Sequence, residues 1–570
     1  MFSSTKAHIL YYPCYMIARK TTAKFRKYLR QHQKPHFPGC FLDRLTNMET
    51  LESLPDELLL LICEHLASQP TSIHDKRYDQ ATFYNLCLVS QRWNCIATPF
   101  LYATIELSSS SFAGRKLLRT LFAKPFLAEH ITVVRQVSPS EEVPNGSIHH
   151  PKNFADTNTI LPMAEQLDIW ENPDTDLRLW VPGQDRDLAI LLFQSPKIKS
   201  IYFQTSESEL LRDSRELPTW IMALGQIAQG QQLGKIHHFS SLRNIYIEMH
   251  GIASMELFPL FLLPSLVELS ISHLGVYSDQ GEGSGYENNP QIVYGRPWTW
   301  KKQCNNIQRL AFHFPARLGT TIINAIASCK ALRSFELDMG SDQIASDFKD
   351  LKTGVLKALY AHTETLEQLR LSGTYTRTEA RELGDLGSLC ELKHLKVLTA
   401  PMYLLKRPPS PQRSIKHTEL DAIHLPPSIQ NLALRVEHDT KTSHLDLYLE
   451  SLYFALRDHK IPHLKTITFH SSYRTVSSPL DIPHIHRLFS TVGVKIHYYI
   501  LLQTTFFSFD LPEQATPWIL EEYLRVEQWV EELRKLPNLV RLEQEGGNTI
   551  VATSLREEVV DEEVRYMHIR

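Results

Sequence analysis

The chain of 570 residues is too long for one compact core, which indicates several domains or an elongated array of repeats. Its composition, 43% hydrophobic and 22% charged, is that of a globular protein and excludes a chain that is disordered or collagen-like throughout. With 60 Lys and Arg against 63 Asp and Glu the net charge is −3, so neither nucleic acid nor an anionic membrane is expected as the main partner.

Cysteine usage indicates a compartment without disulfide bonds, and the length of the apolar runs indicates a protein that does not span a membrane. None of the 8 cysteines is spaced as C-x-x-C, and several lie within apolar helical or strand-like runs. This pattern favours buried, reduced thiols over a disulfide framework or a zinc site. No segment has the roughly 18 apolar residues that a membrane span needs. We therefore expect a soluble cytoplasmic or nuclear protein without a membrane partner.

The amino-terminal segment differs from the rest of the chain in charge. Residues 1–42 contain eight Lys or Arg residues and neither Asp nor Glu, a composition shared with mitochondrial transit peptides. Met48 then opens a segment that is typical of the start of a folded domain. We interpret residues 1–47 as a basic, disordered extension or the product of an upstream start codon. An organelle signal is the alternative, and sequencing the amino terminus of the native protein would distinguish the two.

Residues 50–102 have the pattern of three short helices. Ser53, followed three residues later by Asp56, resembles a capping box, and Pro55 sits in the first turn, where its missing N–H is not needed. Apolar residues then recur on one helix face: Leu58, Ile62 and Leu66. After a polar stretch, a second helix carries Phe83, Leu86 and Val89, and a third, beginning near Ser90, carries Trp93, Ile96 and Phe100.

So short a module buries only a small core, which predicts that its surplus apolar side chains are covered by another protein. Over about a tenth of the chain these residues resemble the F-box family. The resemblance rests on a Leu-Pro start, spaced aliphatic residues and a Val-Ser-x-x-Trp ending: Leu54-Pro55-Asp56-Glu57-Leu58, Ile62, Leu66, and Leu86-Cys87-Leu88-Val89-Ser90-Gln91-Arg92-Trp93.

The F-box resemblance implies a three-helix domain that binds a Skp-family adaptor, which docks in turn on a cullin carrying the ubiquitin-conjugating machinery. By that resemblance, eight residues face the adaptor or brace the helices that do: Leu54, Pro55, Leu58, Ile62, Leu66, Leu86, Val89 and Trp93. The polar stretch Ser68 to Asp79 is longer than is usual in the family, which leaves the contacts of that loop open. The end of an ordinary helical bundle is the alternative interpretation.

A theme of three apolar positions, spaced x, x+3 and x+5, recurs along the rest of the chain. Its clear members are Ile198-Ile201-Phe203, Leu242-Ile245-Ile247, Leu266-Leu269-Ile271, Ile307-Leu310-Phe312, Leu332-Phe335-Leu337, Leu366-Leu369-Leu371, Leu395-Leu398-Ala400, Ile429-Leu432-Leu434 and Leu464-Ile467-Phe469. Two weaker members are Ala164-Leu167-Ile169 and Leu539-Leu542. The last two positions alternate as in a strand, and amphipathic segments between members, such as 318–327 and 354–360, predict helices.

A strand and a returning helix with an L-x-x-L-x-L kernel resemble the leucine-rich repeat, whose stacked strands line a concave surface. The resemblance implies an α/β fold in which the three-helix F-box is followed by an irregular leucine-rich-repeat solenoid. This horseshoe of short parallel strands and return helices would cover residues 130–545, and residues 546–570 would form a tail. A compact α/β domain with parallel strands shares the same local signals and is the alternative.

Side chains between the apolar positions of a strand point to the opposite face, which in a solenoid is the concave one. Arg and Tyr are enriched at interaction hot spots. Five such residues are therefore the candidates for a stripe that binds a target protein: Arg243, Tyr246, Arg309, Arg333 and Arg370.

No local motif for catalysis, nucleotide binding or metal binding is present, so we expect neither an enzyme nor a cofactor. An active site assembled from distant residues would leave no such motif. The resemblances imply the substrate-recognition subunit of a Skp-cullin-F-box ubiquitin ligase, in which the repeats bind a target protein. The alternative is a leucine-rich-repeat scaffold or recognition protein that acts independently of a ligase.

Overall fold

The computed structural model forms two compact units, which divide after Tyr246. The residues that it describes are 54–68, 80–108, 112–137, 184–204, 219–230, 236–248, 254–272, 291–293, 296–298, 300–313, 319–339, 348–373, 388–405, 425–436, 442–472, 488–501, 539–545 and 549–554. The predicted extension 1–47 lies outside these residues, as do most of the predicted tail and the weak repeat member at 164–169.

Three helices open the first unit: α1 (Asp56–Ser68), α2 (Gln80–Cys87) and α3 (Gln91–Ala103). The Pro55 carbonyl accepts the backbone N–H groups of Leu58 and Leu59 at 3.1 and 3.2 Å, so α1 begins where the sequence predicts. The Ser90 side chain caps α3 by accepting the backbone N–H of Trp93 at 3.3 Å. All three predicted helices are therefore present.

One apolar core joins these helices, because α3 packs against both α1 and α2. Its buried members are Leu54, Leu59, Ile62, Cys63, Phe83, Leu86, Trp93 and Ala97. The ring of Phe83 stacks on that of Phe100, with centroids 5.6 Å apart. Every residue of this cluster comes from the helical module, so the module seals its core with its own side chains.

A parallel sheet with helices makes up the rest of the first unit. Its strands are hydrogen-bonded in chain order: β1 (Thr104–Ser108), β2 (Val133–Val137), β3 (Ser200–Gln204) and β4 (Asn244–Glu248), whose first three residues belong to this unit. The helices between them in the chain are α4 (Phe112–Ala123), a 3-10 helix (Pro125–His130), α5 (Gln184–Gln194) and α6 (Thr219–Ala228). Phe203 of β3 contacts Trp220 of α6, with ring centroids 5.2 Å apart, so α6 covers the buried face of its strand.

In the second unit the same arrangement recurs. Its strands begin with β5 (Glu268–Ser272), β6 (Gln291–Val293), β7 (Arg296–Trp298), β8 (Arg309–His313), β9 (Ser334–Met339), β10 (Gln368–Gly373), β11 (Val397–Pro401), β12 (Asn431–Val436), β13 (Thr466–Ser472) and β14 (Lys495–Leu501). All are parallel neighbours in that order except β6 and β7, which form a separate antiparallel pair. The helices are α7 (Gly319–Ser328), α8 (Phe348–Leu359) and α9 (Thr442–Arg457), with 3-10 helices at Ser254–Leu262, Tyr360–His362 and Met402–Leu405.

Each clear member of the predicted theme coincides with a strand, β3 to β5 and β8 to β13. Their apolar positions are all buried, none more than 5% exposed. The registers stack equivalent positions in rows, since Phe335 of β9 lies opposite Leu310 of β8 and Leu369 of β10. The two predicted helices at 318–327 and 354–360 correspond to α7 and to the end of α8 with the 3-10 turn that follows. The predicted α/β class with parallel strands is therefore confirmed.

Three parallel strands do not follow the apolar spacing x, x+3 and x+5, each for an identifiable reason. In β2 the third position is Gln136, which is polar although it is only 6% exposed. In β14 the first position is Gly493, whose φ of 75° favours glycine over a large apolar residue. For β1 the first position, Tyr102, belongs to α3, so helical periodicity hides the strand. The sheet of the first unit therefore begins at Thr104, before the predicted repeat region.

One predicted strand has a different partner from the one expected. The segment at Leu539 forms β15 (Leu539–Glu545), which pairs antiparallel with β16 (Thr549–Ser554), and β16 pairs antiparallel with β14. Only residues 546–548 separate β15 from β16, and so short a connection permits a hairpin but not a parallel crossover. The second strand of this hairpin lies within the segment that the sequence predicted to be a tail.

Candidate functional site

Arg92 of α3 holds the Leu-Pro segment in place at the start of α1. Its Nε donates to Asp56 Oδ1 at 2.6 Å, and its Nη2 donates to the backbone carbonyl of Leu54, also at 2.6 Å. The ion pair is partly exposed and contributes about 0–1 kcal/mol. The bond to the carbonyl fixes the direction in which the chain enters α1, because it joins the backbone before the helix to the third helix.

The eight predicted adaptor-contact residues fall into three groups by burial. Leu54, Ile62, Leu86 and Trp93 are buried in the core of the module, and Leu58, Leu66 and Val89 are partly buried against it. Pro55 alone is exposed. Seven of the eight residues are thus placed to brace the helices rather than to offer a free side chain to a partner.

Exposed apolar side chains lie instead on α1, on α2 and in the turn that follows α2. They are Leu60 at 44% exposed and Leu61, Tyr84 and Leu88 at 56% each. Leu60 and Leu61 share the outer face of α1 with Glu57 and Glu64, as the helical period requires. The sequence pattern predicted none of these four residues as a contact, although their spacing from the buried positions places them outside the core.

Two of the three thiols of the module are shielded from solvent: Cys63 is buried and Cys87 half-buried, whereas Cys95 is exposed. Burial raises the pKa of Cys63 to about 12, and burial also raises the pKa of Cys87. A thiolate, the form that attacks electrophiles and binds metals, is therefore disfavoured at both positions. Within the described ranges, no group of three His, Cys, Asp or Glu side chains is arranged to hold a metal ion.

The five predicted target-binding residues separate into two sets along the strands. Tyr246, Arg309 and Arg370 lie within β4, β8 and β10, at positions that alternate with buried residues and so belong to the polar face of each strand. Arg243 and Arg333 each precede a strand by one residue. Their backbone N–H groups donate to Lys199 and Gln308 of the preceding strand connections at 2.8 Å. These two arginines therefore lie at the amino-terminal edge of the strands and not on the polar face.

The three candidate arginines of the second unit each form an ion pair with a nearby glutamate. Arg309 pairs with Glu268 at 3.3 Å, Arg333 with Glu367 at 3.7 Å and Arg370 with Glu336 at 3.6 Å. Glu367 also accepts a hydrogen bond from Lys396 at 2.9 Å, and this bond is the main reason that its pKa is lowered. The side chains remain partly exposed, but their charges are largely compensated within the chain.

An aromatic and cationic row on β2, β3 and β4 was missed by the sequence reasoning. The Arg135 guanidinium lies over the Tyr202 ring, 4.9 Å from its centroid. Tyr202 stacks in turn on Tyr246, with centroids 4.4 Å apart and an angle of 4° between the ring planes. Arg135 was missed because β2 does not follow the apolar theme, whereas Tyr202 and Tyr246 are both theme-strand residues.

Two histidines act as structural hydrogen-bond donors to helix ends. Nε2 of His237 lies 3.0 Å from the Leu192 carbonyl, while its Nδ1 accepts the backbone N–H of Phe239 at 3.2 Å. These two bonds require the neutral Nε2–H tautomer. His362 makes the same contact with the Ile326 carbonyl at 3.0 Å. Burial lowers the pKa of both side chains.

No protein-family model matches the chain, and no curated protein matches it. A membrane-spanning helix is likewise not found among the described residues. The geometry of the two surfaces and the two resemblances in the sequence are therefore the basis for a functional proposal.

Proposed function

We propose that this chain is the substrate-recognition subunit of a Skp-cullin-F-box ubiquitin ligase. In this proposal α1–α3 bind a Skp-family adaptor, and the strand array, a leucine-rich-repeat solenoid, binds a target protein. The observation that carries the proposal is a three-helix module that completes its own core and still exposes four large apolar side chains: Leu60, Leu61, Tyr84 and Leu88. Other subunits of the ligase would supply the chemistry, in the cytoplasm or the nucleus.

The four exposed side chains favour a protein partner on energetic grounds. Burying a Leu side chain completely contributes about 1.5–3 kcal/mol, and these residues have roughly half of that still to gain. Tyr84 adds a flat ring with a hydroxyl group, the kind of side chain that is enriched at hot spots. Four such residues in a module of three short helices exceed the isolated apolar residues found on any protein surface.

The buried residues of the F-box pattern support the proposal in a different way. Trp93 is 1% exposed at the centre of the module and contacts the same core as Leu54 and Leu86. Together with the contacts of Arg92 to Asp56 and Leu54, this fixes α3 against α1 and α2. Such bracing keeps the exposed leucines of α1 in one orientation, so a partner pays little conformational entropy when it binds.

Co-purification with the Skp-family adaptor tests the proposal. The full chain is expected to retain the adaptor, and the double variant Leu61→Glu with Leu88→Glu is expected to lose it, because two charges would be buried against an apolar partner. The matched control is Phe122→Glu with Phe126→Glu, since these two phenylalanines are also exposed and lie in the same unit outside α1–α3. Circular dichroism melting of all three proteins checks that they fold alike.

A parent chain that fails to retain the adaptor would contradict the proposal and favour a scaffold that acts without a ligase. Equal retention by both double variants would contradict the assignment of the binding surface to α1 and the turn after α2. Loss in both would show a nonspecific effect of added acidic charge, which also counts against the assigned surface.

A further inference from the structure

The strands at the carboxy-terminal side of the second unit carry a charge pattern that the functional proposal does not use. None of the strands β10 to β14 contains an Asp or Glu residue, whereas β5 and β9 contain Glu268, Glu336 and Asp338. Five basic or imidazole side chains occupy these same five strands: Arg370, Arg435, His470, Lys495 and His497. The strands of the parallel sheet in the second unit are thus net acidic over β5, β8 and β9 and basic over β10–β14.

The strand registers place small side chains in the middle of this region. Arg370 of β10 lies opposite Thr399, which is followed across the sheet by Ala433, Thr468 and His497. Threonine and alanine fill the row between the two larger side chains at its ends. We call this row, with Arg435 and Lys495 on either side of it along the strands, the basic trough.

The cations of the basic trough differ in their pairing, because Arg370, at its β10 end, forms an ion pair with Glu336 of β9 at 3.6 Å. Within the described part of the chain, neither Arg435 nor Lys495 pairs with a carboxylate. Burial and then the charge of Arg435 lower the pKa of His470 to about 4. Burial and then Lys495 lower the pKa of His497. In both cases burial is the larger cause, and the neighbouring cation adds to it.

Polar atoms in the same row have unused hydrogen-bonding capacity. Nε of Arg370, Oγ1 of Thr399 and Nδ1 of His497 are buried, and none of them bonds to another described residue. These three atoms are therefore not committed to hydrogen bonds within the described chain, and side-chain rotations that open the row would let them pair with a bound group. Two of the three, Arg370 Nε–H and the Thr399 hydroxyl, are donors suited to an anionic oxygen.

We infer that the basic trough binds an extended segment of a target protein whose side chains carry carboxylate or phosphate groups. The inference rests on the proposed function in that it names the chemistry of the target. Charge complementarity selects this occupant over a neutral or basic segment. The row from β10 to β14 crosses four strand spacings of about 4.8 Å, or about 19 Å, which matches five or six residues of an extended chain.

Fluorescence anisotropy of labelled peptides with the full chain tests this inference. The probes are peptides of about twelve residues in which Ser alternates with Glu, or Ala with phosphoserine, together with a Ser-Lys peptide and a single-stranded oligouridylate. We expect the Glu peptide, the phosphoserine peptide or both to bind, more weakly at about 0.5 M than at 0.05 M salt. Binding by the phosphoserine peptide alone would identify phosphate as the anion that is recognised. Binding by the oligouridylate without either acidic peptide would overturn the inference in favour of nucleic acid.

Two double variants of equal charge locate the binding. Arg435→Glu with Lys495→Glu should weaken peptide binding about tenfold, which corresponds to about 1.4 kcal/mol for the reversal of two charges, one half-buried and one exposed. Lys301→Glu with Lys357→Glu changes the net charge equally, at exposed positions outside the basic trough, and should leave binding intact. Equal losses in both double variants, or no loss in either, would overturn the assignment to the trough.

Adaptor co-purification with the same variants separates this inference from the functional proposal. Neither pair of substitutions lies in α1–α3, so all of these proteins should retain the adaptor to the same extent as the parent chain. Retention of the adaptor without any peptide binding would overturn the trough alone. Peptide binding that depends on Arg435 and Lys495 without adaptor retention would overturn the ligase proposal and leave the trough standing.

Discussion

The three-helix module and the parallel strands differ in where they concentrate stability and in what they leave exposed. The module gathers its buried residues around one point, Trp93, and exposes leucines and a tyrosine. The strands distribute burial over many equivalent rows and expose charged and hydroxyl side chains. A small module with one core can keep an apolar surface rigid, whereas a repeated strand offers a long polar face whose chemistry changes from one strand to the next.

Removal of Trp93 is the strongest test of the concentrated core. Trp93→Ala is expected to destabilise the module by about 3–5 kcal/mol, because it leaves a cavity at the centre of three short helices. Hydrogen exchange of the α1–α3 amides should report the loss while the strand amides keep their protection. Tyr84→Ala, at an exposed position in α2, is the control and should change protection little. Similar losses of protection from both substitutions would contradict the view that the module concentrates its stability at Trp93.

A substitution between α7 and α8 tests how closely the repeated helices pack. A Cβ added at Gly354 would collide with the Ile323 side chain. The nearest atom is Cδ1, at the end of a half-buried side chain that can rotate away, so Gly354→Ala should lower the free energy of unfolding by about 1–2 kcal/mol despite the better helix propensity of Ala. Urea denaturation measures this effect. In a chain that already carries Ile323→Ala, adding Gly354→Ala should cost much less than it does in the parent chain, because the colliding side chain is gone. Stabilisation by Gly354→Ala alone would show that the two helices are not in contact there.

The pH dependence of His362 gives the smallest expected effect. Burial lowers its pKa from the usual 6.5, so the folded state favours the neutral ring that donates to the Ile326 carbonyl. The parent chain should therefore lose stability as the pH falls below about 6.5, where the unfolded state begins to take up the proton. His362→Gln keeps a donor but removes this titration.

At pH 8 the free energy of unfolding of the parent chain should exceed that of the His362→Gln variant by about 0.5–1.5 kcal/mol. The difference should shrink as the pH is lowered towards 5, as measured by urea denaturation at each pH. A constant difference across this range would mean that His362 is solvated in the folded protein and that the helix end is capped by other groups.

The strands were predictable from the sequence because their burial repeats at fixed spacing, and that spacing is set by backbone geometry alone. The strands that carry Leu310, Phe335 and Leu369 could be predicted from the local sequence alone, although these residues lie side by side in the sheet. Where an exception intervenes, as at Gln136 or Gly493, the same pattern fails although the strand forms. Neighbouring strands then decide the structure in place of the local sequence.

The surfaces were less predictable, because exposure depends on which helix face is covered. The F-box pattern pointed to Leu54, Ile62 and Trp93, which are conspicuous in the sequence because they build the core. Leu60 and Leu88 are ordinary leucines until the packing of α3 shows that nothing in the described chain covers them. Likewise, Arg309 and Arg370 looked available until the registers placed Glu268 and Glu336 beside them.

The reversal of direction at β16 has a consequence for solubility. A parallel array exposes at its last strand a line of unpaired amide and carbonyl groups, which would accept a strand from any other molecule. The residues Thr549–Ser554 occupy that line on β14, and β15 beyond them has an irregular register between Leu539 and Arg541. Such an irregular outer strand makes a poor template, so the hairpin protects the chain against edge-to-edge polymerisation.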